Sequence, residues 1–452
     1  MHPDTLDSLI HGDIVLPTEI VRDAWIAVKN GTISGIFSKN QGLVAKETID
    51  CPGHLIFPGI IDEHVHSFSY PGEGFENSTA SAAAGGVTTI IEMPYDSPSP
   101  VTSPAVFDNK IELIQKSAMV DVALLATLNK NAKIADVDPL IERGACGFKL
   151  SIFETDVNRF PRIEDHILWD ILPEIARSDI VVGFHAENDG IIEHLIGLYK
   201  QEGKFYPKAH VETRPPVTET SAVLKLLELA FWTKVSLHIY HVSHPRSIDL
   251  IKFYKNQGVD VTSETCPHYL ILNSNDMNRL KGRAKINPCL RSEEESAAMW
   301  MRLISGDIDI IASDHAPWPM EKKESENIFE NASGCPGVQT LLSLMYNEIV
   351  VKRKMSPTIL SRLMSLNPAK RFRLSHKKGS ISIGKDADFA IIDPNIEWTI
   401  KGSNNLSSAK WSPYENMNIR GKIVTTILRG KTIYSHNRPF QFVKGGVFLR
   451  PN

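Results

Sequence analysis

The segment Asp62-Glu63-His64-Val65-His66 places two imidazoles two residues apart. Alternate side chains of a strand share a face, so His64 and His66 can grip one cation together. Lys149 stands inside the apolar run Gly147-Phe148-Lys149-Leu150. An ammonium carries a heavy desolvation cost there, so the pKa should fall and the amine become nucleophilic. His185, in Phe184-His185-Ala186-Glu187-Asn188, and His241, in Tyr240-His241-Val242-Ser243-His244, each end an apolar run. Asp314 follows the mostly apolar stretch 308–312, an expensive place for a carboxylate unless a cation or a proton partner compensates it. Singly, each could be an ordinary hydrogen-bonded group, and Lys149 a side chain snorkelling from a strand end. As a set, these nitrogens and oxygens suit a pair of divalent cations such as zinc better than one, provided that the lysine is converted to an anionic bridge.

For these side chains to meet, the strands that carry them must end at one place. Eight apolar, β-branched runs can be traced, at 55–66, 86–94, 121–127, 145–150, 179–188, 235–243, 259–270 and 307–317. Helical patterns at 77–84, 104–118, 165–177, 220–232, 246–257 and 292–305 fall between them. Near-continuous apolar content marks strands buried on both faces of a parallel sheet. The expected fold is therefore α/β, a (β/α)8 TIM barrel with its chemistry at the C-terminal strand ends. Residues 8–52 and 379–436 instead alternate in short runs with Gly and polar punctuation. They predict a small β-sandwich domain formed by the N- and C-terminal segments, which divides the chain into 1–54, 55–376 and 377–452, with 401–410 as a polar loop.

The 452 residues carry 49 Lys plus Arg against 53 Asp plus Glu. That balance offers no basic footprint for nucleic acid or for an anionic membrane surface. No stretch reaches the roughly 18 apolar residues of a spanning helix. The start MHPDTLDSLIHGD has no apolar core of a secretory signal, and the 5 cysteines are scattered without a CxxC pair. The expectation is a cytoplasmic protein with reduced thiols.

The series DEHVH, GFKL, FHAEN, HVSH, ETCPHYL, KINPCLR and SDHAP, with the terminal segment Gly384-Lys385-Asp386-Ala387-Asp388-Phe389-Ala390, resembles the amidohydrolase superfamily. The likeness is to its cyclic amidohydrolase branch of allantoinases, hydantoinases (dihydropyrimidinases) and dihydroorotases, and it spans essentially the whole chain. The resemblance implies that Lys149 is carbamylated by carbon dioxide to N6-carboxylysine and bridges two metal ions. His64, His66 and Asp314 would hold one ion, and His185 and His241 the other. A hydroxide shared by two cations forms near neutral pH and attacks the amide carbonyl of a small cyclic substrate. Asp314 would take its proton and return it to the leaving nitrogen, which an amide requires. Asn287 and the pair Ser333-Gly334 match stretches that bind the ring's imide or ureide edge, although Asn-Pro and Ser-Gly are also strong turn formers. A dimer or tetramer of the chain is implied as well.

Within the branch, the chain resembles allantoinases most, enzymes of purine metabolism, through GGVTTIIEMP and through Arg214-Pro215-Pro216 with Glu219. Hydantoinase or cyclic imide hydrolase is the alternative, because Asp96-Ser97 replaces Asn-Ser and the loop after His66 is reduced to Tyr70-Pro71-Gly72-Glu73-Gly74. A typical hydantoinase has a Tyr shortly after the lysine, where this chain offers Ser151, Ile152 and Phe153. Dihydroorotase is disfavoured by Ser67-Phe68-Ser69 and by Met93-Pro94-Tyr95-Asp96, which lack the Arg and Asn that hold a substrate carboxylate. A non-catalytic scaffold of the same fold would have lost metal ligands, and a mononuclear deaminase would not need Lys149. Among rival histidines, His238 is expected in the core, His315 beside Asp314 orienting a neighbour, and His268 along the pocket.

Overall fold

The computed structural model describes residues 5–39 and 42–452. Residues 1–4, part of the start read above for a leader, lie outside the described residues. Four N-terminal strands come first: β1 (Leu6–Val15), β2 (Ile20–Lys29), β3 (Thr32–Phe37) and β4 (Ala45–Pro58). Eight parallel strands follow: β5 (Ile60–Val65), β6 (Val87–Glu92), β7 (Asp121–Ala126), β8 (Gly147–Ser151), β9 (Val181–His185), β10 (Leu237–Ile239), β11 (Val261–Thr265) and β12 (Ile310–Ile311). They hydrogen-bond in chain order, and nearly every residue in them is buried. The sheet closes beyond β12, where the His66 N–H donates to the His315 carbonyl at 2.9 Å and the His315 N–H to the His64 carbonyl at 3.0 Å. The (β/α)8 barrel expected from eight apolar runs is the observed fold.

Several boundaries differ from the pattern, and three show why. Residues 55–58 extend β4 rather than the first barrel strand, and the chain changes sheet at Gly59. A Cβ at Gly59 would lie 2.1 Å from Thr88 Oγ1, so only glycine allows that close crossing. The run 259–270 is strand only to Thr265. Pro267 then opens the helix Pro267–Ile271, since its fixed φ suits a first helical turn and its missing N–H interrupts a ladder. The run 179–188 likewise stops at His185. Asn188 caps the helix Asp189–Gln201, accepting from the Ile191 N–H at 3.2 Å, and no periodic reading had placed a helix there. The helices expected at 220–232 and 292–305 are Val217–Thr233 and Glu293–Ile304, the second begun by a reciprocal Ser292/Glu295 capping box.

The C-terminal strands β13 (Phe389–Thr399), β14 (Asn418–Leu428) and β15 (Lys431–Ser435) join β1–β4 in one mixed sheet of order β15-β14-β13-β4-β1-β2-β3. Ile10, Ile26, Ile56, Phe389 and Ile427 form a core for it distinct from that of the barrel. The sheet is bolted to the barrel by charge. Lys378 Nζ lies 2.6 Å from Asp121 on β7, 2.6 Å from Asp388 and 2.8 Å from Asp386, and Arg429 also binds Asp121. The polar stretch 401–410 is docked rather than free, because Ser407 Oγ and the Ser408 N–H donate to Glu73 at 3.0 and 2.7 Å. Glu73 lies in the loop after His66, so the C-terminal segment reaches the rim of the barrel mouth. Among the described residues, no helix is long and apolar enough to cross a membrane.

Candidate active site

The C-terminal strand ends surround a cavity of about 100 Å³ lined by His64, His66, Lys149, His185, His241, Asp314, Asn287, Ser333 and Gly334, so every residue expected at the site reaches it. His64 and His66 project from the end of β5. Their Nε2 atoms face Asp314 Oδ1 at 3.3 and 3.5 Å, and the three side chains are close enough to hold one cation. His185 ends β9 and His241 lies just beyond β10, with His185 Nδ1 3.0 Å from His241 Nε2. Asp314 and His241 both adopt positive φ, at 47° and 41°, a strained backbone for residues other than glycine and one that recurs at functional positions.

The partners behind these side chains set their tautomers. His64 Nδ1 donates to Glu264 Oε1 at 2.9 Å, and Glu264 also accepts from the His241 backbone N–H at 3.0 Å. His185 Nε2 donates to Glu187 Oε2 at 2.9 Å, leaving Nδ1 turned toward His241. Arg214 Nε stands 3.5 Å from Glu187, and Glu219 accepts from the Ser243 and His244 N–H groups at 3.3 and 3.1 Å. The arginine-proline segment thus buttresses β9 and β10. Glu264 and Glu187 were not singled out in the sequence. The signal that picked out Asp314, a carboxylate after a mostly apolar run, is absent at Glu264, which follows the polar residues Thr262 and Ser263.

Electrostatics fit metal ligands. Burial brings His64 down to about 3 and His66 to about 4, and holds His241 well below the usual imidazole range, so these rings are neutral donors. Burial pushes Asp314 up, but His64, His66 and His241 outweigh it and hold the carboxyl well below its ordinary value. Lys149 is 1% exposed, its Nζ has no hydrogen-bond partner and sits 3.5 Å from the centre of the Tyr240 ring, and burial brings it down to about 7. A buried amine that nothing satisfies, amid two histidine pairs and a carboxylate, is a fit for an anionic bridge between two divalent cations.

The remaining sequence readings sort by geometry. Gly334 has φ 114°, and a Cβ there would be 2.5 Å from that of Ala316, so the cavity wall requires glycine. Its N–H is donated to the Lys285 carbonyl at 2.9 Å, and its carbonyl accepts from buried Lys323 at 2.8 Å, so the pair Ser333-Gly334 is clamped from behind. Asn287 Oδ1 is buried without a partner. Asp96, read above as a departure bearing on substrate, instead binds Lys110 Nζ at 2.6 Å beside Glu92, and it is not among the residues lining the cavity. Ser151 Oγ is likewise spent on the Phe153 carbonyl at 2.6 Å. His238 lies in the core against Tyr240 and Phe372, and His315 accepts from the Gly337 N–H at 3.1 Å. His268 is fully buried but does not line the cavity, which corrects the expectation for it. Tyr95, Arg159, Thr155, Ser69, Trp318 and Ala316 complete the wall. None of them is singled out by the sequence as a site residue, although Ser69 and Tyr95 stand in the segments weighed above for a substrate carboxylate, because no periodicity fixes the direction of a loop side chain.

Known proteins share this architecture. A model of the amidohydrolase family matches residues 55–433. The chain is 36% identical over 432 residues to the allantoinase of Rubrobacter xylanophilus, covering 94% of each chain. It is 33% identical over 453 residues to that of Deinococcus radiodurans, covering 99% of each. It superimposes on the L-hydantoinase (dihydropyrimidinase) of Arthrobacter aurescens with a TM-score of 0.95 at 31% identity, over 98% of this chain and 99% of that one. With the family's model spanning most of its length and relatives matched end to end, this chain belongs to the amidohydrolase family.

Proposed function

We propose that this protein hydrolyses the ring amide of a small cyclic substrate, with allantoin as the leading candidate. The observation that carries the reading is the unpartnered, buried Lys149 amine between the pairs His64/His66 and His185/His241, with Asp314 facing the first pair. His64, His66 and Asp314 would hold one divalent cation, and His185 and His241 a second, zinc by the character of the donors, with Lys149 as N6-carboxylysine between them. Such a pair of ions supplies an activated water and a polarised carbonyl. Asp314 accepts the proton of the attacking water and delivers it to the ring nitrogen as the C–N bond breaks, because an amide anion is too basic to leave unprotonated. Glu264 and Glu187 hold their histidines in the tautomer the donors need. Asn287, Ser333 and Gly334 form the wall against which the ring is oriented. The division at 1–54, 55–376 and 377–452, with its first boundary moved to Gly59 because 55–58 belong to β4, and a dimeric or tetrameric assembly belong to the same proposal.

The allantoinase names among the relatives support allantoin, and the structural likeness to an L-hydantoinase favours a five-membered hydantoin ring as the second reading. Allantoin is itself a substituted hydantoin, so the two readings differ in the substituent and not in the bond cleaved. The test is proton release by zinc-supplemented protein against allantoin, hydantoin, dihydrouracil, dihydroorotate and a cyclic imide, with metal content measured in parallel. Turnover of allantoin with about two ions per chain is the expected result. Turnover of none of the rings would end the proposal.

A further inference from the structure

Hydrolysis of an amide piles negative charge on the carbonyl oxygen, and a donor fixed where that charge develops is among the largest contributions a protein makes to such a reaction. The cavity wall offers a candidate. Tyr95, just past the end of β6, lines the cavity with Lys149, His185, His241 and Asp314. Its ring centre is 5.4 Å from that of His66. Its hydroxyl is shielded from solvent and has no hydrogen-bond partner.

Three of the other donors on the wall are already engaged. Trp318 Nε1 donates to the Ser333 carbonyl at 2.8 Å, Ser69 Oγ is bonded to His66 Nδ1 at 2.9 Å, and Arg159 Nε donates to Asp156 at 3.1 Å. The backbone that presents Tyr95 is held. Arg159 Nη1 donates to the Ser69 carbonyl at 3.2 Å and reaches the Tyr95 carbonyl at 3.5 Å, joining three loops of the mouth. Phe160 packs against the Tyr95 ring, and the next side chain, Asp96, is drawn the other way onto Lys110. An immobilised phenol whose O–H is unspent, at the rim of a cavity built for carbonyl chemistry, is a preorganised donor.

We propose that Tyr95 is a catalytic residue whose hydroxyl donates a hydrogen bond to the substrate carbonyl oxygen as water adds to the carbonyl carbon. The inference rests on the cyclic amide hydrolase reading. In the addition, the oxygen of water forms the new C–O bond and the carbonyl π pair moves onto the carbonyl oxygen, which accepts the Tyr95 hydrogen bond. When that pair returns, the C–N bond breaks, and the nitrogen takes the proton delivered by Asp314. Tyr95 keeps its own proton throughout and strengthens a bond that is weaker in the ground state.

The test is Tyr95→Phe, which retains the ring and its packing on Phe160 and removes only the O–H. Turnover should fall about 100-fold with KM little changed and metal content at the wild-type level. A five-membered cyclic phosphonamidate, a tetrahedral mimic, should bind the variant more weakly by the same factor. The role is overturned if Tyr95→Phe turns over as fast as wild type, or if turnover falls while the mimic binds both proteins equally. Wild-type protein that opens none of the rings tested would overturn the hydrolase reading and this role with it, a result distinct from either failure of Tyr95 alone.

Discussion

His64 donates from Nδ1 to Glu264 at 2.9 Å, and this bond commits its Nε2 to face Asp314 at 3.3 Å. Because a neutral imidazole has one donor and one acceptor nitrogen, a carboxylate on one side decides what the other side can bind. Glu264 also accepts from the His241 N–H, so one buried carboxylate addresses both histidine pairs.

Glu264→Gln preserves the shape and replaces the carboxyl group behind His64 with an amide. Metal affinity should drop about 10- to 100-fold. Competition with a chromophoric chelator measures it, and unchanged retention of zinc would make Glu264 a packing residue.

Lys149→Ala should lose the metal pair and activity together, since it removes the proposed bridge. Short carboxylic acids should restore part of both by occupying the same place between the ions. Full activity in the variant, read by proton release, would end the carbamate model.

For Asp314→Asn, the side chain stays nearly isosteric but no longer accepts a proton. Turnover should fall by about 10²- to 10⁴-fold while the thermal unfolding midpoint changes little. Near-normal turnover would leave Asp314 a structural group.

Adding one methyl at Gly334 meets the Ala316 Cβ and a backbone at φ 114°. Gly334→Ala should strain the cavity wall by about 1–3 kcal/mol and raise KM more than it lowers kcat. The ratio of the two parameters, measured on the ring that the wild type opens, distinguishes a wall residue from a general loss of fold.

Glu295 supplies a pH test remote from the metal site. It bonds His244 at 3.1 Å and receives the Ser292 N–H at 2.8 Å, and the His244 bond is the main reason that its pKa falls to about 2 from 4.5. A folded-state pKa below the unfolded value means that stability is present above pH 4.5 and is lost as pH falls toward 2. Wild type should therefore exceed Glu295→Gln in thermal midpoint at pH 7, and the difference should shrink through that window. A difference independent of pH would assign the effect to the cap geometry alone.

The arrangement of eight buried strands was legible in the chain because burial on both faces leaves apolar runs that need no knowledge of their neighbours, as at Asp121–Ala126 and Val181–His185. His64, His66, Lys149, His185, His241 and Asp314 were legible for the converse reason, since polar groups at the ends of such runs are costly and stand out. What only the tertiary structure decided lies in loops and in pairings across long sequence distances. Glu264 meets His64 across 200 positions, and Asp96 turns away from the cavity to Lys110, a choice that composition around Pro94 does not record. Tyr95 and Arg159 reach the mouth from separate loops, where no period constrains the side chain and direction is set by what packs behind it. The sequence determined which groups could do chemistry, because desolvation cost is local. The fold decided which groups face the substrate, because orientation is a property of contacts between elements.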